Sequence, residues 1–407
     1  MTERSRPATL AGASSGAKVG RTVVIADDLS GAAECAAEFA QPGVPILLQL
    51  AQNPDLGDGP AVVWDVDARD ATPTLLPEMV RTINCSRRAY VKIDSLLRGN
   101  WAALVAAIVQ KTPRPTVMCS ALPRLGRSMR EGFVDLAPIG TASGQGLAHY
   151  ASSAIEELAL AGVQAGHYLL STGTDSDIRE GLLAALGRNT VTVIDARTDA
   201  ELDTLARALE SLPTPYTAIG SAGLAGALAR VLTVPLSRCA LGTMSSMAIL
   251  VGSRTGPARE QLAQLATESG EAVCWWSGSP GGGIAPAAGA RDRSLHLFST
   301  CLEASATPGG RHLTRRFVDE VLTNLPAVDC FVTTGGETAR ALCDALGVAY
   351  LTVLGQVEPG VSLARMALPG GPRHLVLKSG SFGDPETLVR VARLGGLLPA
   401  ESTERNS

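Results

Sequence analysis

Residues 21–39 read RTVVIADDLSGAAECAAEF, and this stretch decides the fold class. A β-branched, apolar run at 21–26 stops at two adjacent carboxylates, Asp27 and Asp28. Small and apolar residues at helical spacing follow from 31 to 39. A short strand, a polar turn and a helix make the first unit of an α/β fold. Working outward, strands are expected at 46–50, 61–65, 89–93, 116–119, 168–170 and 190–194, and a helix at 101–109 with Asn100 as its N-cap. A small-residue helix follows Gly220-Ser221-Ala222-Gly223. A second half opens with a strand at 247–251. It continues through strand 330–333, helix 337–346 and strands 350–354 and 375–378.

The chain has 407 residues, 45% hydrophobic and 18% charged, which is globular and too long for one core. The expected architecture is α/β, two domains, each a mostly parallel sheet flanked by helices. The expected boundaries are a tail at 1–20, a first domain at 21–235, a linker at 236–246, a second domain at 247–398 and a tail at 399–407. Residues 277–294, rich in Gly, Pro and Ala, read as a loop. A net charge of −4 argues against a general nucleic-acid binder. Eight cysteines without a C-x-x-C pair and five scattered histidines predict neither a disulfide framework nor a metal site. Residues 1–20 lack the apolar stretch of a signal peptide, and no window suits a bilayer span. A soluble, cytoplasmic protein is expected, with a homodimer compatible.

Polar residues cluster just after the strands, at the edge where open α/β sheets bind ligands. Asp27 and Asp28 stand at such an end, suited to binding a hydroxyl or accepting its proton. The competing reading is that Asp28 or Ser30 caps the helix. At 91–100, VKIDSLLRGN, the side chains of Lys92, Asp94, Ser95 and Arg98 crowd one strand end. Two cations, a carboxylate and a hydroxyl suit a carboxylated substrate whose own hydroxyl must be oriented. A solvated turn with an N-cap is the bland alternative. In SALPRLGR at 120–127, Arg124 and Arg127 bind an anion or simply pair with nearby acids.

The second half carries four glycine-bearing turns: VGSRTGP at 251–257, TTGGETA at 333–339, GQVEPG at 355–360 and KSGSFG at 378–383. Each alone is an ordinary connection. Four together favour a nucleotide-phosphate site that Ser253, Gly335, Gly336, Glu337, Gly360 and Gly380 help to build. The G-x-x-x-x-G-K-[ST] motif is absent, and the glycines of 220–226 do not follow G-x-G-x-x-G.

These segments, in this order, resemble the four-carbon acid sugar kinase family. Its D-D-L-[TS]-G-A start and K-I-D-S-x-L-R-G-N segment are followed by P-x-x-G-R, G-S-A-G-L and a Gly-Ser loop. T-G-G-E-T-A, P-G-V and K-S-G-x-F-G complete the series. Counterparts of all eight lie between Asp27 and Gly383. The resemblance implies ATP-dependent phosphorylation of the terminal hydroxyl of an acid such as threonate, erythronate or 3-oxo-tetronate. It also implies that the first domain holds the acid and the second holds ATP, with the reaction in the cleft between them. Carried over by position, Asp27, Arg69, Lys92, Ile93, Asp94 and Ser95 contact the acid. Ser253, Gly355, Gln356, Val357, Glu358 and Gly380 contact the nucleotide. Leu96, Leu122, Thr255, Ala258 and Ser362 depart from the usual residues. The change at Leu96 bears on which acid is bound.

The expected mechanism is in-line transfer from ATP with Mg²⁺ carried on its phosphates, alone or with one carboxylate or water-mediated contacts, and no dedicated protein metal site. Asp27 and Asp94 rank above Asp28 as proton acceptor, with Lys92, Arg69 and Arg98 holding the carboxylate or balancing charge. Two rivals stand beside this. An NAD-dependent hydroxy-acid dehydrogenase needs a fingerprint turn that is not convincing here. A non-catalytic acid-sugar sensor is suggested by the altered residues around Ser253.

Overall fold

The structure is a computed structural model that describes residues 21–50, 59–70, 75–136, 148–149, 153–170, 172–232, 239–276, 294–300 and 310–400. The expected tail at 1–20, residues 401–407 of the other tail, residues 277–293 of the expected loop and 236–238 of the expected linker lie outside the described residues.

The first half begins β1 (Thr22–Ala26), α1 (Leu29–Phe39), β2 (Ile46–Gln49), β3 (Ala61–Asp65), α2 (Pro77–Cys85), β4 (Arg88–Lys92), α3 (Trp101–Lys111) and β5 (Thr116–Cys119). An antiparallel insert follows: β6 (Arg127–Arg130), β7 (Phe133–Leu136) and β8 (Ala148–His149). The half ends with α4 (Ala154–Leu160), β9 (Ala165–Tyr168), α5 (Asp175–Leu186), β10 (Val191–Ile194), α6 (Asp199–Glu210), β11 (Tyr216–Gly220) and α7 (Ala222–Val231). The second half runs β12 (Ser246–Val251), α8 (Gly256–Ser269), β13 (Val273–Trp276), β14 (Ser294–Thr300), α9 (Gly310–Asn324) and β15 (Cys330–Thr334). It closes with α10 (Gly336–Ala345), β16 (Tyr350–Glu358), β17 (Val361–Met366), β18 (Arg373–Lys378) and α11 (Thr387–Leu394).

The α/β class expected from the sequence is what the structure has, with one addition. The two halves share a single sheet of order β13-β14-β12-β15-β18-β17-β16-β2-β3-β1-β4-β11-β5-β10-β9. The seam is an antiparallel pairing of β16 with β2, Tyr350 opposite Gln49 through Val353 opposite Ile46. β1, β3, β4, β11 and β15 are buried along their whole length, as parallel strands covered on both faces must be. Their near-continuous apolar sequences follow from that.

Each half contains a topological switch. β1 pairs with β3 on one side and β4 on the other. β12 likewise lies between β14 and β15. The crevices outside the carboxyl ends of β1/β4 and β12/β15 are where such sheets take ligands. Three antiparallel pairings, β18·β17, β17·β16 and β16·β2, separate the two parallel sets, so the sets run in opposite directions. In a flat sheet their carboxyl ends would lie on opposite rims. Helix α1 shows how they meet: it packs against β16, β17 and α10 of the second half as well as against its own strands. Ten of its 11 residues are buried, including Glu34 and Glu38. Its Gly and Ala content lets both halves close on it.

Some boundaries differ from the sequence reading. The strand expected at 168–170 lies upstream as β9. The hairpin β6–β7 was not foreseen, although its two-residue turn, Glu131 (φ 54°) and Gly132 (φ 79°), is of a kind that such hairpins favour. Asn100 occupies the N-cap position of α3 without a side-chain cap bond. The described end of the expected linker is packed, not free: Leu241 and Met244 are buried in the second core, and the Cys239 N–H donates to the Gln356 carbonyl at 2.9 Å.

Candidate active site

The carboxyl ends of β1, β3 and β4 build a compact charged cluster. Asp28 caps α1, its Oδ1 accepting from the Gly31 N–H at 2.7 Å, so the capping reading holds. The same carboxylate also belongs to the cluster: Arg69 Nη1 reaches its Oδ2 at 2.7 Å, and Ser30 Oγ donates to Oδ2 at 3.1 Å. Arg69 further contacts Asp27 Oδ2 at 3.3 Å and Asp94 Oδ1 at 3.7 Å. One guanidinium therefore bridges three carboxylates. Its backbone is held from below, where Asn100 N–H donates to the Arg69 carbonyl at 2.8 Å. Gly99, at φ +81°, is required there because a Cβ would stand 2.7 Å from that carbonyl oxygen.

Lys92 is buried, donates to the Ile93 carbonyl at 3.1 Å and reaches the turn of α1. A Cβ on Gly31 would lie 2.7 Å from both Lys92 Nζ and Asp28 Oδ1, so only glycine admits this approach. Burial opposes the Lys92 charge, but Glu34, Cys35, Asp27 and Asp28 outweigh it and raise its pKa.

The two aspartates ranked as proton acceptors are opposite in character. Asp94 is buried, which favours the neutral acid, yet Arg98 and Arg69 hold it well below the usual carboxylate range. Its Oδ2 accepts from Leu96 N–H (3.1 Å), Arg98 N–H (3.3 Å) and Arg98 Nε (2.7 Å), and its Oδ1 from Arg98 Nη2 (2.7 Å). Burial pushes Asp27 up to about 7, reinforced by Asp28 and opposed by Arg69. Its Oδ1 is buried with no hydrogen-bond partner. Asp94 is thus held as an anion by its arginines, whereas burial raises Asp27, whose Oδ1 has no hydrogen-bond partner. Arg98, expected to hold the substrate carboxylate or balance charge, is forked onto Asp94. Arg124 pairs with Glu34 (3.5 Å) and Glu38 (3.1 Å).

In the second half, Ser253 follows β12 and lies against two other loops. Its Oγ is 3.1 Å from Thr255 Oγ1, which donates to the Gly380 carbonyl at 2.7 Å. A Cβ on Gly380 would fall 2.1 Å from Ser253 Oγ. Thr255, which departs from the usual Ser, uses its hydroxyl in these contacts. Gly335, at φ +92°, donates its N–H to the Lys378 carbonyl at 2.8 Å and opens α10. Gly336 faces the first half: a Cβ there would lie 2.9 Å from Asp28 Oδ2. Glu337 turns toward α9, where Thr314 Oγ1 donates to it at 3.4 Å.

Gly355, Gln356, Val357 and Glu358 require a correction. They are not a loop but the last residues of β16, with register shifts against β17 on both sides of Gln356. The turn is Pro359-Gly360, and Glu358 is held by Arg390 Nε at 2.8 Å. Gly360, at φ +76°, makes room for Phe382, whose ring a Cβ would approach to 2.7 Å.

The 378–383 turn joins the halves. Lys378 donates to the carbonyls of Ser379 (2.8 Å) and Phe382 (2.7 Å), and burial pushes it down to about 7. Phe382 then inserts between Leu122 and Ala222 of the first half. A small cleft, open to solvent, results. Asp28, Arg69, Lys92, Asp94 and Ser95 line one side, and Ser379 and Phe382 the other. Asp27 lies behind Arg69 and Asp28. Arg127, one of the two arginines read as anion-binding or acid-pairing, lines the cleft, and so do Gly31, Glu34 and Ser221, which were not among the candidate contacts. Their signals were in the sequence, since each stands within or beside one of the eight segments.

Comparison with known proteins agrees with this geometry. A profile described as the sugar-binding N-terminal domain matches residues 22–228, and one described as the nucleotide-binding C-terminal domain matches 286–388. A D-threonate kinase of Cupriavidus necator is 32% identical over 401 residues, covering 90% of this chain and 96% of the relative. The chain belongs to the four-carbon acid sugar kinase family. A Bordetella bronchiseptica D-threonate kinase is 28% identical over 91% of this chain and 96% of its own. A 3-oxo-tetronate kinase of Cupriavidus necator is 26% identical over 91% and 96%. The fold of this kinase-family member matches crystal structures from Salmonella typhimurium (TM-score 0.64, 19% identity, covering 92% of this chain and 99% of that one) and Haemophilus influenzae (0.62, 17%, 92% and 100%). No helix among the described residues is long and apolar enough to cross a membrane.

Proposed function

We propose that this kinase transfers the γ-phosphoryl group of ATP to the terminal hydroxyl of a four-carbon sugar acid of the threonate type. The observation that carries the reading is the meeting of the carboxylate–Arg69–Lys92 cluster with the 378–383 turn of the second half in one cleft. The similarity to D-threonate kinases supports the acid, and the match of 286–388 to nucleotide-binding domains supports ATP.

In this reading the first half binds the acid through Lys92, Arg69 and Ser95, with Asp28 and the Ile93 and Asp94 backbone shaping the pocket. The acceptor hydroxyl is directed toward Asp27, which lies behind Arg69 and Asp28 and which substrate binding would have to uncover. Its oxygen forms a bond to the γ-phosphorus while the bond to the β,γ-bridging oxygen breaks, and ADP leaves with that electron pair. The hydroxyl proton passes to Asp27 Oδ1. Asp94 keeps Arg98 and Arg69 in place and remains ionised. Ser253, Gly335, Gly336, Gly380 and the β16–β17 turn offer hydroxyls and backbone N–H groups to the phosphates. Among the described residues no three acidic, His or Cys side chains converge as metal ligands. Mg²⁺ carried on the nucleotide would neutralise phosphate charge.

A coupled ADP-release assay across D- and L-threonate, D- and L-erythronate and 3-oxo-tetronate tests the proposal. Turnover with one of them well above the ATPase background is expected. Equal background rates with every acid would refute the substrate class.

A further inference from the structure

A sugar acid brings a carboxylate, a terminal hydroxyl and secondary hydroxyls, and each needs a different partner. Cations take the carboxylate, and a base takes the proton of the terminal hydroxyl. Secondary hydroxyls call for acceptors, and a carboxylate is the strongest acceptor among side chains. Asp27, Asp28 and Asp94 are all engaged by Arg69. Among the described residues, one acidic side chain outside that bridge lines the cleft, Glu34 of α1.

Glu34 stands three residues after Gly31, so the two share a face of the helix. Side chains on a helix lean toward its N-terminus, which sends Glu34 toward the turn that Lys92 Nζ and Asp28 Oδ1 approach. It is 6% exposed. Burial raises its pKa, and Lys92 and Arg124 oppose the rise. In return, Glu34 is first among the neighbours that raise Lys92.

A second glutamate one turn on shows what Glu34 is not needed for. Arg124 Nη2 lies 3.1 Å from Glu38 Oε1 and 3.5 Å from Glu34 Oε1. Glu38 is packed against α7, where a Cβ on Gly226 would stand 3.0 Å from its Oε2, and it is not part of the cleft wall. The nearer partner of Arg124 is therefore the glutamate outside the cleft. Glu34 keeps one long contact, and its Oε2 accepts no hydrogen bond among the described residues. A buried carboxylate in that position gains from a donor that a ligand brings. A hydroxyl supplies one. A second carboxylate is repelled, and a carbonyl, which only accepts, gains nothing from an ionised acid.

We propose that Glu34 is a specificity-determining residue, its carboxylate accepting a hydrogen bond from a secondary hydroxyl of the sugar acid. The inference rests on the kinase reading above and narrows it to acids that carry that hydroxyl. The experiment uses the full chain at pH 8 with the best-accepted four-carbon acid and its analogues lacking the hydroxyl at C2 or at C3. If the parent phosphorylates no four-carbon acid, the kinase reading itself fails and this inference with it.

With an accepted acid in hand, removing one of the two hydroxyls should lower the parent's kcat/KM about 10- to 100-fold. Glu34→Ala should lose a similar factor with the complete acid, yet stay within about threefold of the parent with that deoxy analogue. Glu34→Gln keeps the shape and one acceptor, so its loss with the complete acid should be about three- to tenfold, again absent with the analogue. Three results would overturn the inference: a parent indifferent to both hydroxyls, Glu34→Ala within about threefold of the parent with the complete acid, or the same loss with all three acids. The last is what a residue that only supports the fold or Arg124 would give. If Glu34→Ala shows no cooperative melt, Glu34→Gln is read by the same comparison. Loss of the melt in both variants assigns Glu34 to the fold and overturns the inference as well.

Discussion

Replacing Asp27 by Asn should make this enzyme inactive and, above neutral pH, more stable. Asp27 is raised from 3.8 to about 7 because burial disfavours its charged form, with Asp28 adding to the effect. A shift of about 3 units at 1.36 kcal/mol each means the ionised carboxylate costs the folded state on the order of 4 kcal/mol at pH 8. The sign follows from proton binding. Between about pH 4 and 7 the folded chain holds a proton that the unfolded chain has released, so stability falls as pH rises through that window. Asn escapes the charge. Its carbonyl can keep the Arg69 contact, while its amide nitrogen would take the place of Oδ1, which has no partner. An unsatisfied buried donor returns about 1–3 kcal/mol of the gain. The expected net stabilisation is therefore about 1–3 kcal/mol at pH 8, reversing to a net loss of about 1–3 kcal/mol toward pH 4, where only the cost of the unpaired amide remains.

The assay is thermal or urea unfolding of parent and Asp27→Asn at pH 4.5, 6 and 8, alongside coupled ADP release. Activity should fall by roughly 10²–10⁴, the range for loss of a general base. The reasoning is refuted if Asp27→Asn retains kcat within about tenfold of the parent. It is equally refuted if the variant is less stable than the parent at pH 8 and the difference does not depend on pH.

Other consequences can be checked the same way. The kcat/KM profile should lose activity below about pH 7 as Asp27 becomes protonated, and Asp28→Asn should move that limb to lower pH by removing a neighbouring charge. Gly380→Ala would drive a methyl onto Ser253 Oγ, so calorimetric ATP affinity should weaken by more than about tenfold while acid binding persists. Arg340→Ala would strand Asp65, whose side chain is fully buried and is raised to about 7 by burial. Urea unfolding should show a loss of about 2–4 kcal/mol at pH 8 that shrinks at pH 5, where Asp65 is neutral, and adding Asp65→Asn should recover most of it.

The sequence was most legible where one local rule decided the outcome. Apolar runs ending in Asp or Gly located β1, β3, β4 and β15 within about a residue, because strands buried on both faces have no reason to alternate. It was least legible where partners lie far away in the chain. Nothing local in Ile46–Gln49 says that it pairs with Tyr350–Val353, so the fusion of two sheets into one was invisible. The GQVEPG segment looked like a glycine loop because a bulged strand at a sheet interior and a turn share the same residues. Arg127 sat in a recognised segment. Its role could not be separated from that of Arg124 three residues earlier, since only the fold sends one to Ser95 and Phe382 and the other to Glu34 and Glu38.

Asp27 and Asp94 make the same point in electrostatic form. Both close a parallel strand, both are buried, and both touch Arg69. Asp94 is followed by a turn that folds its own Leu96 and Arg98 N–H groups and the Arg98 fork back onto it, a local arrangement that keeps the anion charged. Asp27 is followed directly by the cap of α1, so its backbone is used by Ala68 and Arg69 and its side chain receives only the shared Arg69. Asp28, the adjacent carboxylate, competes for that same cation at a shorter distance, 2.7 Å against 3.3 Å. Burial, reinforced by the adjacent Asp28, thus raises Asp27, and Arg69 offsets it only in part because its shorter contact goes to the carboxylate that caps the helix. Exchanging the two roles would need a different turn after β1, which is why the order Asp-Asp, with the cap second, carries mechanistic weight.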